Sequence, residues 1–415
     1  MSPLDPINPD LEGAGPFVPP SQNGDRALSF QIVERVRAHG QISRMDLARR
    51  LDVSPGSITP AVADLIDEGV LVESVSDSHL GRGRPPVALS IARRFGLVAV
   101  MKISDSSHTA VLVDFAGTQI AQARSTRQTA GLVGDDLVEE VRALFAKLIA
   151  NAGVDISAVR AVGLGVPGFV EAKTGNLLWS PLLSAGPLEL QSAVTEALGV
   201  PTFVDNDANV LTMAELWFGA GREMADFVVV TIEHGVGMGL VLGHRIFRGA
   251  RGLGTELGHT KVQLDGALCR CGQRGCLEAY VSDYALVREA STALNLPGLE
   301  SRTSQVMLES LFDNAKAGHL PSRAIFARAG RYLALGLANI VNLFDPGLII
   351  LSGERMRYDY LYAEEVFQEM NAQMLQLDRP APKIEIRAWG DLIWARGAAA
   401  LALSESTDVL LAHNA

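Results

Sequence analysis

The sequence is poor in cysteine, carries no excess of positive charge and has no long apolar run. Each shortage excludes a class of protein. Three cysteines in 415 residues, all between positions 269 and 276, cannot frame a disulfide-stapled secreted fold. The formal net charge is -11, so no whole-molecule attraction to nucleic acid or membrane exists and any polyanion contact has to be local. Apolar stretches are short and broken by Gly, His or charge, which argues against a membrane span. The start lacks the basic-then-apolar pattern of a secretory signal. A soluble, cytoplasmic protein without membrane partners is expected. What is present is globular: 48% hydrophobic and 20% charged residues, enough for about two to four domains with cores of their own.

Charge is unevenly spread. Residues 1–25 hold four acidic and no basic residues, with prolines at 3, 6, 9, 16, 19 and 20, which predicts a disordered tail. Residues 26–95 hold ten Lys/Arg against eight Asp/Glu, so the first folded segment is the basic one. Within it Leu28, Ile32, Val33 and Val36 recur at helical spacing, and His39-Gly40 ends the pattern. Ser43 caps a second helix, with Asp46 three residues on and Met45, Leu47, Ala48 and Leu51 as its apolar side. Ser54-Pro55 opens a third in cap-then-proline order, with Ile58, Val62, Leu65 and Ile66 as its buried stripe. Pro60 loses one hydrogen bond there, so either Gly56 absorbs the distortion or the helix starts a turn later.

Residues 70–75 and 87–91 read as strands flanking Gly81-Arg82-Gly83-Arg84-Pro85-Pro86. Three short helices and a basic hairpin make a winged helix-turn-helix over 26–92. Its third helix would offer Ser54, Ser57 and Thr59 to the major groove of double-stranded DNA, while Arg82 and Arg84 reach phosphate or the minor groove. Winged helices also serve as protein-interaction modules, and an arginine hairpin also suits a solvated tip.

Beyond Arg94 the texture is α/β. Three successive strands, a helix over 137–151 and a strand over 159–166 are followed by a helix over 188–198. A short strand over 202–204 then leads to Asp205-Asn206-Asp207-Ala208-Asn209 and a helix over 210–219. The pattern partly repeats in the second half, ending in a long helix over 324–344 and a strand over 348–351. Two α/β lobes enclosing a cleft, an actin-like ATPase fold, are predicted. The lobes would span 93–205 and 206–385, with a C-terminal helix in 386–415 returning to the first.

One local signal is dense. His259 is followed by Cys269-Arg270-Cys271-Gly272-Gln273-Arg274-Gly275-Cys276, and three thiolates with one imidazole suit tetrahedral zinc. Four protein ligands make a closed, structural site. A redox pair or inert small hydrophobes are the competing readings. Around this knuckle, Asn206, Asp207, Glu256, His259 and Glu278 have the donors and acceptors to bind the hydroxyls of a sugar, and Asp207 has the chemistry of a general base. The same acids also suit solvated loops.

On these motifs the chain resembles the ROK family of repressors, open reading frames and sugar kinases, and within it the regulators that fuse a winged helix to a sugar-kinase-like body. The resemblance covers about 26–405. It rests on Ser43-Arg44, Ser54, Gly83-Arg84-Pro85, Val166-Pro167-Gly168, Asp205-Asn206-Asp207-Ala208-Asn209, Gly254-Thr255-Glu256-Leu257-Gly258-His259 and the knuckle through Glu278. It adds Arg44 to the DNA-facing set. It implies zinc on His259, Cys269, Cys271 and Cys276, sugar contacts from Asn206, Asp207, Glu256, His259 and Glu278, and Asp207 as the equivalent of the kinase base. A homodimer or homotetramer that represses carbohydrate uptake or catabolic genes, released by a sugar or sugar phosphate, is the function implied.

Departures from the kinases bear on catalysis. Where the family's kinases carry an Asp-x-Gly-Gly-Thr phosphate turn, this chain has Lys102-Ile103-Ser104-Asp105-Ser106. Glu233-His234-Gly235 stands for Gly-Thr-Gly, and Ser352-Gly353-Glu354 for Gly-Gly. Acidic groups beside a triphosphate repel it, so no ATP and no kinase activity are expected, Asp207 is inactive as a base, and the body serves as a sensor. The alternatives are a bifunctional kinase and regulator, or a regulator gated by a protein partner.

Overall fold

In the computed structural model, which describes residues 13–22, 26–75, 87–104, 107–127, 133–184, 186–293, 304–359, 363–375, 380–387 and 392–412, the basic segment folds as α1 (Leu28–His39), β1 (Ile42–Ser43), α2 (Arg44–Leu51), α3 (Pro55–Asp67), β2 (Leu71–Val75) and β3 (Val87–Ile91). Both predicted caps form. Ser43 Oγ accepts the Asp46 N–H at 3.1 Å, and Ser54 Oγ accepts the Ser57 N–H at 3.2 Å. The third helix keeps Pro60 inside it and starts at Pro55, so the later start does not occur. Leu47, Ala48 and Leu51 are buried as expected, but Met45 is 79% exposed. Its side chain lies off the apolar stripe of so short a helix. Strands β2 and β3 pair antiparallel from Leu71↔Ile91 to Val75↔Val87. The wing tip, with Arg82 and Arg84, falls outside the described residues.

By compactness the chain forms two units: residues 1–225, 241–253 and 391–415, and residues 226–240 with 254–390. The first unit holds the winged helix and the first lobe together. The lobe's sheet comprises β4 (Leu97–Lys102), β5 (Ser107–Asp114), β6 (Gln119–Thr126), β7 (Val159–Val166) and β10 (Thr202–Asn206), in the order β10-β7-β4-β5-β6. A small hairpin of β8 (Phe169–Glu171) and β9 (Asn176–Trp179) follows β7. Helices α4 (Gly134–Ala152) and α5 (Leu190–Leu198) pack with the sheet, as do α6 (Asp207–Phe218) and α12 (Leu392–Ala412). A Cβ at Gly397 would lie 1.7 Å from the Val210 carbonyl oxygen, so α12 and α6 touch backbone to backbone.

The second lobe's sheet runs β13-β12-β11-β14-β15, from β11 (Phe227–Ile232), β12 (Val236–Leu242), β13 (Arg245–Phe247), β14 (Leu348–Ser352) and β15 (Lys383–Arg387). Its helices are α7 (Glu278–Val281), α8 (Asp283–Ala293), α9 (Ser304–Lys316), α10 (Leu320–Phe344) and α11 (Glu364–Gln373). Among the described residues α10 alone is long and apolar enough to cross a membrane; 61% of its apolar window is buried, in this unit's core.

Part of the predicted tail is docked instead of disordered. Residues 13–18 run between α1 and α6, with the Ala14 N–H bonded to the Arg37 carbonyl, Gly15 to that of Trp217 and Phe17 to that of Arg222, at 2.8–2.9 Å. Arg222 returns a bond from Nε to the Gly15 carbonyl at 3.0 Å, and its guanidinium sits 4.5 Å from the Phe17 ring. Backbone amides and two arginines satisfy this segment, which its proline content conceals.

Candidate functional site

In the second unit, the short 3-10 turn Leu257–His259 presents His259 to the cysteine knuckle. The donor atoms of His259, Cys269, Cys271 and Cys276 all lie within 4.8 Å of one another. Cys271 and Cys276 sulfurs are 3.7 Å apart, as are Cys269 Sγ and His259 Nδ1. Two thiolates on a tetrahedral ion with bonds of about 2.3 Å stand about 3.7 Å apart. A disulfide would need about 2.05 Å. The set therefore fits a tetrahedral metal ion and not a redox bridge. Lys261 Nζ donates to Cys276 Sγ at 3.0 Å, and that bond raises the lysine pKa above its usual value.

Glu278 joins the knuckle to the neighbouring turn. Its Oε2 accepts the Val236 N–H at 3.2 Å, and Oε1 lies 3.4 Å from the Tyr284 hydroxyl, which also reaches Cys269 Sγ at 3.4 Å. Burial first, and then the bond to Cys269, raises the Tyr284 pKa. Glu256 precedes His259, whose backbone N–H it accepts on its carbonyl at 3.1 Å. His259 and Glu278 thus both meet the metal-ready loop at Cys269, and Glu256 stands at the start of the His259 turn.

Asn206 and Asp207 belong to the first unit. Strand β10 runs on through Asn206, and α6 begins at Asp207, three residues before its predicted start. The reason is a cap: Asn206 Oδ1 accepts the Asn209 N–H at 2.8 Å. Asp205, 3% exposed, braces the turn. Its Oδ1 accepts from the Asn206 N–H and from Asn209 Nδ2, each at 2.8 Å, and its Oδ2 pairs with Arg248 at 2.8 Å. Sequence reasoning missed Arg248, which lies 43 residues away with no motif to mark it.

The chain matches the ROK family model over residues 106–405. It belongs to the ROK family. It is similar to the xylose repressor of Caldicellulosiruptor bescii, 26% identical over 88% of this chain and 92% of that protein. Among solved structures it is similar to a ROK family transcriptional regulator described as a homologue of the Escherichia coli Mlc protein. That likeness has a TM-score of 0.78 and 25% identity over 92% of this chain and 97% of the other. A ROK family glucokinase from Streptomyces griseus, solved with glucose and AMPPNP, superposes at a TM-score of 0.62 with 27% identity over 74% of this chain and 99% of the kinase. The two-lobed fold and the winged helix of a ROK regulator are both present.

Two turns expected from the sequence to depart from those of the ROK kinases hold internal partners. In the first unit the Ser104 N–H donates to His108 Nδ1 at 3.2 Å, and His108 Nε2 meets Glu140 at 2.8 Å. Lys102 Nζ sits 4.4 Å from the centre of the Trp394 ring. Asp105 and Ser106 fall outside the described residues. In the second unit His234 Nδ1 lies 2.9 Å from Asp283, and Arg355 makes a two-pronged, buried pair with the same carboxylate. None of these partners carries a sequence motif.

On the ROK winged helix, Ser54, Ser57 and Thr59 are exposed. The two serine hydroxyls lie 3.0 Å apart, and Thr59 Oγ1 donates to the Pro55 carbonyl at 2.9 Å. Arg44 pairs with Glu73 of β2 at 2.7 Å. Two of the ten basic residues counted toward DNA face inward. Arg35 and Arg37 are 7% and 2% exposed. Arg37 lies 4.9 Å from the Phe115 ring centre and 5.7 Å from that of Trp217, and donates to Thr407 Oγ1 at 3.1 Å. Desolvation lowers its pKa to about 10.

Proposed function

We propose that this chain is a cytoplasmic, sugar-responsive transcriptional repressor of carbohydrate uptake or catabolic genes, a homodimer or homotetramer on double-stranded DNA. The body is a sensor and not a kinase. The observation that carries this reading is the joining of a capped, outward-facing reader helix to a kinase-like body whose phosphate turns hold their own side chains. An amide already bonded to His108 and an Arg355 guanidinium already paired with Asp283 have little left to offer a triphosphate, and Glu233 would repel it.

Asn206, Asp207, Glu256, His259 and Glu278 are the residues we assign to the sugar. His259, Cys269, Cys271 and Cys276 would hold zinc, which when bound supplies structural cross-linking of the loop that carries Glu278. Ser54, Ser57 and Thr59, with Arg44, Arg82 and Arg84, would meet DNA. Paired half-sites about 34–36 Å apart are the geometry a two-fold assembly of such readers needs.

A physical link between the two functions lies within the first unit. Asp205 ties the Asn206–Asp207 turn to Arg248. Arg248 lines a cavity of about 200 Å³ whose other walls include Gln31 and Glu34 of the reader's α1, Trp217, and the docked segment at Pro16 and Val18. A ligand that draws on the turn shifts Arg248, and with it the seat of the reader. Substituting Arg248→Gln is expected to leave DNA affinity in place while reducing the sugar's effect on it at least fivefold, read by fluorescence anisotropy. Full sugar response in that variant would contradict the link.

A further inference from the structure

The hairpin after β7 places an aromatic platform beside the proposed sugar turn. Val166, the last residue of β7, is the parallel partner of Asn206, and Pro167-Gly168 then leads straight into β8. Phe169 and Trp179 are cross-strand partners, their rings 5.3 Å apart and tilted by 37°. Strand β8 in turn packs beside β10, whose end carries Asn206 and Asp207.

The platform is rigid, and yet it is open. Gly168 adopts φ +129°, and a Cβ there would lie 2.1 Å from the Trp179 carbonyl oxygen, so the end of β9 is pressed onto the end of β7. Ser180 Oγ donates to the Pro167 carbonyl at 2.6 Å, and Leu177, Ser180 and Leu182 are all buried. Between these anchors Trp179 remains 45% exposed, whereas Trp217 and Trp394 are 4% and 5% exposed. Core packing accounts for its neighbours, not for an indole held outward on so well-fixed a backbone.

We infer that Trp179, backed by Phe169, is a stacking platform for the apolar C–H face of the sugar, and so a specificity-determining residue of the sensor. The inference rests on the reading of the Asn206–Asp207 turn as a sugar site. A pyranose has hydroxyls around its rim and C–H bonds on its faces. The polar turn suits the rim, and an electron-rich indole face suits the C–H bonds, which carry partial positive charge. The ligand class is therefore a pyranose with an unobstructed C–H face. Sugars with a bulky axial substituent on that face are rejected.

The test is calorimetric titration of the full chain with a panel of aldoses and their methyl glycosides, for the wild type, Trp179→Ala and Trp179→Phe. Removing the platform is expected to weaken the best sugar about tenfold or more, while Trp179→Phe retains most of the affinity. Sugar-induced change in indole fluorescence is expected in the wild type and lost in Trp179→Phe, which still binds. Unchanged DNA affinity and thermal midpoint would show that both variants fold. Equal sugar affinity in wild type and Trp179→Ala overturns the platform and leaves the sugar reading standing. A wild type that binds no sugar in the panel overturns both.

Discussion

The two units close their glycine-poor turns with different physics. In the first, the closure at Ser104 is a chain of polar contacts: an amide to an imidazole, that imidazole to Glu140, and a lysine over an indole. In the second, the closure at Glu233–Gly235 is a buried ion pair, Arg355 with Asp283, whose side chains are 4% and 8% exposed, with His234 as a third member. A polar chain is cheap to form and modestly costly to break. A desolvated pair contributes little net stability when whole, but losing one partner strands a charge. The first turn is therefore the softer of the two, and it lies in the same unit as the reader.

The largest expected effect tests the second turn. Arg355→Met leaves the Asp283 carboxylate buried with only His234, and should cost about 3–5 kcal/mol in urea unfolding. Adding Asp283→Asn should recover much of that loss. Next is His108→Phe, which keeps the volume but leaves the Ser104 N–H unsatisfied, at about 1–3 kcal/mol. Equal losses at the two turns would erase the contrast. Lys102→Met should cost about 0.5–1 kcal/mol, and neither first-unit variant should gain ATP turnover.

The smallest effect is a pH response. Desolvation lowers the His39 pKa in the folded chain, and Arg50, Arg35 and Arg222 add to the lowering. The unfolded chain therefore binds the proton more readily. This contribution is full above the ordinary histidine value of about 6.5 and is lost as pH falls through the lower folded value. His39→Gln should flatten that part of the stability profile between about pH 7.5 and 5, measured by thermal melts. A profile equally steep in the variant would place the response elsewhere.

What was legible in the sequence was whatever repeats or clusters locally. Helical spacing exposed the reader's helices, Ser43 and Ser54 marked their caps, and confinement of three cysteines beside His259 exposed the metal-ready loop. Partners distant in sequence were not legible. Residues 13–18 read as tail because their anchors, Arg37 and Arg222, lie remote from them, and composition carries no record of docking. The same blindness assigned Arg35 and Arg37 to a DNA-facing surplus. A charge count cannot tell an arginine stacked on Phe115 and Trp217 from one in water. Trp179 carries no local signal in the sequence, since its exposure depends on how Gly168 and Ser180 fix the hairpin.

A sensor of this kind lets a sugar control DNA binding without consuming it. Fluorescence anisotropy of the zinc-loaded chain on its own upstream DNA, at fixed salt because phosphate contacts make affinity salt-dependent, tests this directly when sugars and sugar phosphates are titrated with ATP present. The predicted result is specific binding that one sugar shifts at least tenfold, with no ATP hydrolysed. Sugar-dependent ATP turnover abolished by Asp207→Asn, or an operator complex that no sugar alters, would contradict it.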